Sequence, residues 1–556
     1  MMPSLDRLIR LDVSNLAAGV PAALLQEHPL VRVAGETVGV REYNEIHYDT
    51  PQLQLFRHGI SLSIHRREEQ WIQRCTRQQA EDGELQWLET PLPEAQLDLK
   101  PLRKMSLFPI LTVADIRSME AVFTLHCRES RWTLTIPDGV TLALIEERGY
   151  WKSGIERYPF HELLLQYQAG SMARWYQTAM EIAWSLFHRE AQEMTDEASK
   201  WERCGPALLS STPAQRAFAA LQGSVLLVEA KPAAESVAVP DTNPGAESDT
   251  FYPLAEGMTA RQLFDHLAGG VLQAIEQYRE AVLYGAKQDK LAQIVRLHRH
   301  VERLQTLFRL YDPLLPRTVA AEVENEIGWL TKELLLVQEC RILQDVTLEP
   351  LLQQVVRHDG LAALLQKTRN GLQLAVKRLE KALSGFRCTR LLLGLHSWLQ
   401  GGLWDFLSDP LVREELEAPL QRRAADWLQD GYQQVLKQGR LWQELPLGDR
   451  SALVRELDRL GHTVLLFGDL FANKRGRIGG DGRLLYIQAL QRMQESLHRL
   501  LHIESSQRFL LRGVNNTADE TAVQAIQAWQ AARMERALAE AARSWEMFVN
   551  KLSFWT

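Results

Sequence analysis

The sequence has few cysteines, and they are not arranged as a framework. Five cysteines occur in 556 residues, at Cys75, Cys127, Cys204, Cys340 and Cys388, and no two of them form a C-x-x-C pair. An odd and widely spaced set excludes a disulfide scaffold of the secreted type. It predicts buried free thiols in a reducing compartment.

The sequence also lacks long apolar runs. None approaches the roughly 20 residues that a membrane-spanning helix needs. Charged residues such as Asp6, Arg7 and Arg10 interrupt the N-terminal stretch, so no signal peptide is visible. These absences predict a cytoplasmic protein with no membrane span.

An excess of basic residues is missing as well. The net charge is -7, which excludes a general electrostatic attraction to nucleic acid or polyphosphate, so any anion site must be a local basic patch. No P-loop, G-x-G-x-x-G, nucleophile elbow, zinc spacing or nucleic-acid motif is present. His298 and His300 point to different faces of a helix, which excludes a helical two-histidine metal pair.

What is present is the composition of a soluble globular protein, with 46% apolar and 24% charged residues. The length allows two or three domains. A β-rich part with closing helices is expected at 1–205, a connecting segment and linker at 206–257, and a helical part at 258–556. The fold class is therefore predicted as α+β, an N-terminal antiparallel β-barrel followed by an all-α pair of helical bundles.

Residues 45–76 contain the clearest β signal. Two runs, Ile60 to His65 and Trp71 to Thr76, alternate around a charged turn and predict a hairpin. The alternation divides the side chains between two faces. One face takes Leu62, Ile64, Trp71 and Cys75, and the other takes Ser63, His65, Ile72, Arg74 and Thr76.

Further strands are predicted at 121–128, 131–136, 140–147 and 161–168. The pair Asp138-Gly139 indicates a tight hairpin turn between two of them. Helices are predicted at 15–27 and 171–200, and the proline-rich segment 229–257 is predicted as a linker. Several antiparallel strands with few helices favour a closed or nearly closed barrel.

The motif Tyr48-Asp-Thr-Pro51 is followed by Arg57, Gly59, Leu62 and Ile64. This frame resembles the CYTH family, in which strand arginines and a lysine line a tunnel that binds triphosphate. The family's two arginines fall here on Ser63 and His65, and its lysine falls on Thr76. The resemblance therefore implies the fold more strongly than the chemistry.

The helical half contains an internal repeat. Residues 294–311 and 454–471, about 160 residues apart, share apolar spacing and end in an aromatic residue, which predicts two similar bundles. These segments resemble the CHAD family, whose paired bundles surround a basic surface that binds polyphosphate. Arg303, Arg455 and Arg459 match its basic positions, whereas His298 and His462 replace arginines. CYTH followed by CHAD is the arrangement of a bacterial inorganic triphosphatase.

A triphosphate site needs basic side chains and carboxylates that hold a divalent ion. The resemblance implies Asp6, Glu147 and Glu162 as metal ligands, Glu147 and Glu162 also as catalytic residues, and Arg10, His65 and Arg74 as phosphate ligands. Alternatives remain open for each of these residues. Glu147 and Glu162 are also explained as satisfied carboxylates, Arg74 as the ion-pair partner of either glutamate, and His65 as hydrogen-bonded structure.

The remaining positions of the predicted inner face bear no charge. They are Leu8, Ser63, Ile72, Thr76, Ala143, Ile145, Leu164 and Gln166. So apolar an interior would leave a triphosphate poorly paired, because taking an ion out of water costs several kcal/mol. The tunnel is therefore predicted to be degenerate.

The helical half offers two basic features. Arg296, Arg299 and Arg303 form a stripe on one helix, and Lys474, Arg475 and Arg477 form a basic loop. Both are candidate surfaces for polyphosphate or an acidic partner, because phosphates favour arginine forks. A solvated basic face is the alternative.

The leading hypothesis is a pseudoenzyme of the inorganic triphosphatase lineage that acts as a binding or scaffold protein. Polyphosphate, triphosphate or a protein partner would be its ligand, the last contacting exposed aromatics near Trp545, Phe548 and Trp555, and no cofactor would be required. The alternative is an active triphosphatase that uses Mg²⁺ or Mn²⁺ to hydrolyse triphosphate to diphosphate and phosphate.

Overall fold

The structure is a computed structural model in which two compact units are distinguished. It describes residues 8–14, 32–33, 39–67, 69–78, 85–99, 117–136, 139–192, 207–209, 212–218, 221, 257–354, 359–402, 404, 409–471, 481–513 and 517–555. The first unit lies within residues 1–241, 276–294 and 381–401. The second lies within residues 242–275, 295–380 and 402–556.

The first unit is built on one antiparallel sheet. Its strands are β1 (Leu8–Asp12), β2 (Arg32–Val33), β3 (Gly39–Asp49), β4 (Ile60–Arg67), β5 (Gln70–Gln78), β6 (Leu85–Leu92), β7 (Glu120–Thr135), β8 (Thr141–Ser153), β9 (Glu156–Ala169) and β10 (Ala207–Leu209). The order across the sheet is β10-β1-β9-β8-β7-β3-β4-β5-β6, and β2 also pairs with β7. Strands β3 to β6 pair with one another in chain order, and so do strands β7 to β9. The pairing of β3 with β7 joins these two groups.

The predicted fold class is confirmed, with one difference in the sheet. An antiparallel sheet precedes a helical region, as expected. Among the described strands, β6 and β10 stand at opposite ends of the pairing order and are not hydrogen-bonded to each other. The sheet is therefore open rather than a closed barrel.

The hairpin of β4 and β5 has the predicted register. Leu62 lies opposite Cys75, and Ser63 lies opposite Arg74. Leu62 and Cys75 are buried in one apolar cluster with Leu55 and Ile60. The two faces that the alternation assigned are therefore correct.

A buried carboxylate shapes the turn that precedes this hairpin. The side chain of Asp49 accepts hydrogen bonds from the backbone N–H groups of Thr50 (2.7 Å), Leu55 (2.9 Å) and Phe56 (2.9 Å). Two of these bonds satisfy the Leu55 and Phe56 amides of the short helix α1 (Gln54–Arg57), whose preceding residue Leu53 has φ 54°. The first amide of the helix, that of Gln54, donates to Thr50 Oγ1 at 3.1 Å. Asp49 belongs to the motif Tyr48–Pro51, so this motif includes the residue that stabilises the turn before β4.

The predicted strands 121–128 and 131–136 are in fact one strand, β7, of 16 residues. It pairs along its length with β8, from Thr124 opposite Lys152 to Thr135 opposite Thr141. The predicted hairpin turn between β7 and β8 is present. Gly139 has φ 82°, and its N–H donates to the carbonyl of Ile136 at 3.0 Å.

Thirteen α-helices are described. They are α1, α2 (Met172–Gln192), α3 (Ala260–Tyr284), α4 (Lys290–Tyr311), α5 (Arg317–Ile342), α6 (Glu349–Gln354), α7 (Asp359–Ser384), α8 (Phe386–Ser397), α9 (Pro410–Glu417), α10 (Leu420–Gly439), α11 (Leu447–Phe467), α12 (Asp481–Gly513) and α13 (Thr517–Val549). Helix α2 begins where the sequence predicted a helix, and it buries Trp175, Ala179, Ile182, Ala183 and Leu186. Its apolar face was therefore predicted correctly.

The two repeat segments are helical, as predicted. Residues 294–311 lie in α4, and residues 454–471 lie in α11 and the 3₁₀ turn Gly468–Phe471 that follows it. A 3₁₀ turn, Asp312–Leu314, also follows α4. The terminal aromatics Tyr311 and Phe471 are both buried.

Two of the three aromatics proposed as exposed contacts are buried. Phe548 is 0% and Trp555 is 2% exposed. Their rings pack with Tyr432 and Tyr486 at centroid distances of 5.0 to 6.1 Å. The expectation of an exposed aromatic patch there is wrong, because these rings form the core of the second unit.

Some of the other predictions concern residues that the structure describes, and others concern residues outside them. Cys75, Cys127, Cys340 and Cys388 are buried and free, as predicted, whereas Cys204 lies outside the described residues. The predicted helix 15–27 and nearly all of the predicted linker 229–257 lie outside them too. The domain limits at 205 and 257 stay predictions.

Two helical glycines of the second unit should respond in opposite ways to the same change. A Cβ at Gly439 would lie 1.9 Å from the Trp545 ring, whereas a Cβ at Gly371 would have no atom within 4 Å. Gly439→Ala is therefore expected to lower the free energy of unfolding by about 1–3 kcal/mol. Gly371→Ala should raise it by about 0.5–1 kcal/mol, because alanine favours the helix. Chemical denaturation measures both, and equal effects would contradict the close packing of Trp545.

Candidate functional site

One face of the sheet brings the predicted site residues together. Glu162 lies opposite Glu147, and Glu147 lies opposite Glu129. Because directly paired residues of antiparallel strands share a face, the registers extend this face from β1 to β6. It includes Arg10, Glu162, Glu147, Glu129, Glu45, His47, Ser63, His65, Arg74 and Glu89.

An arginine bridges the two glutamates that were proposed as metal ligands. Arg10 Nη1 donates to Glu147 Oε2 at 2.9 Å and to Glu162 Oε2. Arg216 also donates to Glu162. Glu162 is 1% and Arg10 is 8% exposed, so the group is buried. Burial alone would lower the pKa of Arg10, but Glu147 and Glu162 raise it above its ordinary value, and the guanidinium stays charged.

The apolar residues of this face pack beside the arginine. Ala143, Ile145 and Leu164 form one buried cluster, with Leu8 against it. Leu164 lies opposite Arg10 in the pairing of β1 and β9. The four residues predicted to fill the tunnel therefore contact one another.

The other end of the face is also paired internally. Ser63 Oγ donates to Glu45 Oε1 at 2.5 Å, and His47 Nε2 lies 3.7 Å from Glu45 Oε2. Burial would raise the pKa of Glu45, but His47 and Ser63 lower it to about 2. Glu45 is therefore ionised at neutral pH.

The predicted partner of Arg74 is wrong. Its Nε and Nη2 donate to Glu89 Oε1 at 3.0 and 2.8 Å, rather than to Glu147 or Glu162. Glu89 lies directly opposite Arg74 on β6, a strand that the sequence did not predict. The Glu89 carboxylate also accepts from Arg67, at 3.3 Å.

His65 lies on this face, 4% exposed. Within the described part of the chain neither of its ring nitrogens has a hydrogen-bond partner. Burial and then Arg74 lower its pKa. His65 is therefore neutral at physiological pH, and it offers no charge to a phosphate.

The residues of this face do not fit a divalent metal ion. Glu147 and Glu162 already bind a guanidinium, and burial and then Glu147 raise the pKa of Glu129. No three His, Cys, Asp or Glu side chains in the described residues are grouped to hold a metal. Asp6, the third proposed ligand, lies outside those residues.

Sequence reasoning missed several residues of the site. Glu45, Glu129 and Arg216 were not proposed, although Glu45 precedes the matched Tyr48 motif. Alternation along β3 and β7 is the signal that would have placed the two glutamates on this face. Arg216 has no comparable signal, because it joins the site from a segment outside the sheet.

The basic stripe of the helical half is less uniform than its spacing suggests. Arg299 is exposed, Arg296 is partly buried and Arg303 is buried, all on α4. Arg303 is therefore not available to solvent in the way that the stripe implies. Lys474, Arg475 and Arg477 lie outside the described residues. Their role as a basic loop stays a prediction.

No helix in the described residues combines the length and the apolar character that crossing a membrane requires.

Comparison with known proteins identifies the helical region. Residues 267–511 match the family model of the CHAD domain, which confirms the resemblance of this region. No curated protein matches the chain. Similar solved structures include a CHAD domain and two candidate adenylate cyclases.

Three of these structures illustrate the likeness. The CHAD domain of the plant Ricinus communis is 19% identical with a TM-score of 0.42, over 52% of this chain and 94% of that one. A candidate adenylate cyclase of Bacillus halodurans is 17% identical with a TM-score of 0.20, over 32% and 88%. A candidate adenylyl cyclase of Hippeastrum, reported to have a dominant triphosphatase activity, is 14% identical with a TM-score of 0.17, over 29% and 79%.

The buried ion cluster predicts a large difference between two arginine variants. Arg10→Met leaves Glu147 without its hydrogen-bonded cation and Glu162 with only Arg216. Breaking a buried pair costs about 3–5 kcal/mol. Arg67→Met removes a side chain that is 44% exposed and leaves Glu89 paired with Arg74, so its cost should stay below about 1 kcal/mol. Denaturant titration compares them, and similar losses would contradict a structural role for Arg10.

Proposed function

We propose that this protein, whose helical region contains a CHAD domain, is a non-hydrolytic binding protein of the inorganic triphosphatase lineage. Its N-terminal sheet keeps the CYTH-like frame around Tyr48–Pro51 but has lost hydrolysis. Its helical region supplies the binding surface, and polyphosphate is the ligand that this surface favours.

The position of Arg10 is the observation on which the loss of hydrolysis rests. Triphosphate hydrolysis of the CYTH type needs carboxylates that hold a divalent ion, which offsets charge and activates water. Here the two carboxylates proposed as metal ligands, Glu147 and Glu162, are bound to Arg10, and Glu162 is also bound to Arg216. A metal ion would have to displace a buried guanidinium, and the released charge would then lack partners.

The charges on the rest of the face support the same proposal. Arg74 is paired with Glu89, and Glu45 is held by Ser63 and His47. A triphosphate binds to cations that are available, whereas these are already neutralised by neighbouring carboxylates. The apolar cluster around Ile145 occupies the adjacent positions.

The binding role rests on arginines from both repeat helices. Arg309 of α4 and Arg459 of α11 line a cavity of about 290 Å³ in the second unit. Arg309 donates to Glu324 at 3.2 Å, and Arg459 donates to Glu456 at 2.7 Å. Because the side chains of Arg309 and Glu324 are 38% and 58% exposed, a phosphate chain can compete with Glu324 for the guanidinium of Arg309.

Phosphate release from triphosphate tests the loss of hydrolysis. The protein with Mg²⁺ or Mn²⁺ is expected to release phosphate no faster than its Glu147→Gln, Glu162→Gln double variant. Glutamine keeps the shape and an acceptor for Arg10 but removes its countercharge, so circular dichroism is used to verify that the variant is folded. Glu146→Gln is the matched control, because Glu146 is on the same strand but faces His161 on the opposite side.

The same assay can reject the proposal. Turnover by the wild type that is lost in the double variant and retained in Glu146→Gln would identify an active metal-dependent triphosphatase. In that case the ion cluster around Arg10 would have to open to admit the metal.

A further inference from the structure

The two repeat helices exchange an acid and a histidine at matched positions. The alignment that places Ile294 on Val454 also places His298 on Asp458 and Glu302 on His462. Each helix therefore contributes one acid and one histidine, four residues apart and in opposite order. We name these residues, together with His498 of α12, the acid–histidine cluster.

The cluster is connected by contacts within the second unit. Asp458 Oδ1 lies 2.9 Å from His498 Nε2 and accepts from Gln494 Nε2 at 3.1 Å. Glu302 Oε1 lies 3.7 Å from His298 Nε2, whose ring is also held by Gln338 at 3.0 Å from Nδ1. His462 Nδ1 lies 3.5 Å from Thr306 Oγ1. Helices α4, α5, α11 and α12 thus meet at this cluster.

Protons on two members of the cluster are exchangeable near neutral pH. Burial and then Asp458 raise the pKa of Glu302 to about 8, although His498 and Arg299 act in the opposite direction. Burial would lower the pKa of His498, but Asp458 and Glu302 raise it above its ordinary value. The side chains of Glu302 and His498 are 33% and 39% exposed, so solvent reaches both.

Three further titratable groups in and around the cluster keep one charge state near neutral pH. Burial and then His462 lower the pKa of His298 to about 4, and burial and then His498 lower that of His502 to about 4. Asp458 stays ionised, because His498 lowers its pKa against the effect of burial. Proton loss from Glu302 and His498 therefore makes the cluster more negative as the pH rises.

The arginines that would bind a polyanion flank this cluster. Arg299 interacts electrostatically with Glu302. Arg459 follows Asp458 in the chain and interacts electrostatically with Arg309 and Arg455. Arg309 follows Glu302 by seven residues on α4, so the two lie on the same helix face about 10 Å apart along the axis.

Proton loss adds a negative charge at Glu302 and removes a positive charge at His498. Together these changes weaken phosphate binding by about tenfold at moderate salt. Proton loss from the cluster therefore weakens the phosphate binding that the arginines favour.

We propose that the acid–histidine cluster is a proton-operated gate for polyphosphate, which is admitted when Glu302 and His498 hold protons and repelled after they lose them. This inference rests on the proposed binding role of the helical region. It adds that polyphosphate binding by this surface depends on pH, and it identifies Glu302 as the residue whose protonation sets this dependence.

Binding of polyphosphate of one defined chain length to the full chain tests the gate, at constant ionic strength from pH 6 to pH 8.5. The wild type should bind about tenfold more weakly at pH 8.5 than at pH 6. Glu302→Gln, which cannot ionise, should reduce this difference to about threefold or less. Glu495→Gln removes an equal charge from an exposed position on α12 and should keep the wild-type pH dependence.

Thermal unfolding without polyphosphate tests proton uptake by the cluster separately. The folded pKa of Glu302 is above its ordinary value of 4.5, so the folded state holds a proton that the unfolded state has released. Stability is therefore lost as the pH rises from about 4.5 towards 8, and Glu302→Gln should flatten this decline. Glu495→Gln should not.

The outcomes separate the gate from the binding role. Equal wild-type affinity at pH 6 and pH 8.5 would overturn the gate and leave the binding role intact. Parallel melting profiles of the wild type and Glu302→Gln would overturn the gate whatever binds. Absence of polyphosphate binding at every pH, even at low salt, would overturn the binding role and the gate with it.

Discussion

The pairing of Arg10 with Glu147 and Glu162 is the interaction on which the N-terminal sheet depends. The two glutamates lie directly opposite each other on β8 and β9, and like charges at such positions destabilise a sheet. A guanidinium that binds both carboxylates removes the repulsion and fixes β1 beside β9 at the same time. The residue that allows these acids to be buried is therefore the residue that keeps a metal from them. The stability of this cluster and its poor fit to a metal ion have one cause.

The same logic extends over the whole face. A tunnel that binds a highly charged substrate must hold unpaired cations, and this is costly because their repulsion opposes folding. On this face Arg74 is paired with Glu89 and Arg10 with Glu147, whereas Arg131 donates to the amide of Gln166. Apolar residues such as Leu164 pack into a buried cluster on the same face. Paired charges and buried apolar side chains both stabilise the folded sheet.

The sequence predicted the hairpin faces correctly because alternation at period two is a local property. It failed for β7, where Glu129 and Ser130 separated the two predicted strands 121–128 and 131–136. Glu129 lies directly opposite Glu147, so its polarity reflects the site and not a chain break. The partner of Arg74 was missed for a different reason, since it depends on the register of a strand that the sequence did not indicate.

The exchanged residues of the two repeat helices have a consequence for how this region can be built. In a symmetrical pair of two first halves, His298 would meet another His298 where it now interacts with Asp458. Two second halves would set Asp458 against Asp458, and the two carboxylates would repel each other even though each keeps its own His498. Each half thus places an unlike group where a copy of itself would place a like one. Two copies that have diverged in this way match each other better than either matches itself, which favours keeping both in one chain.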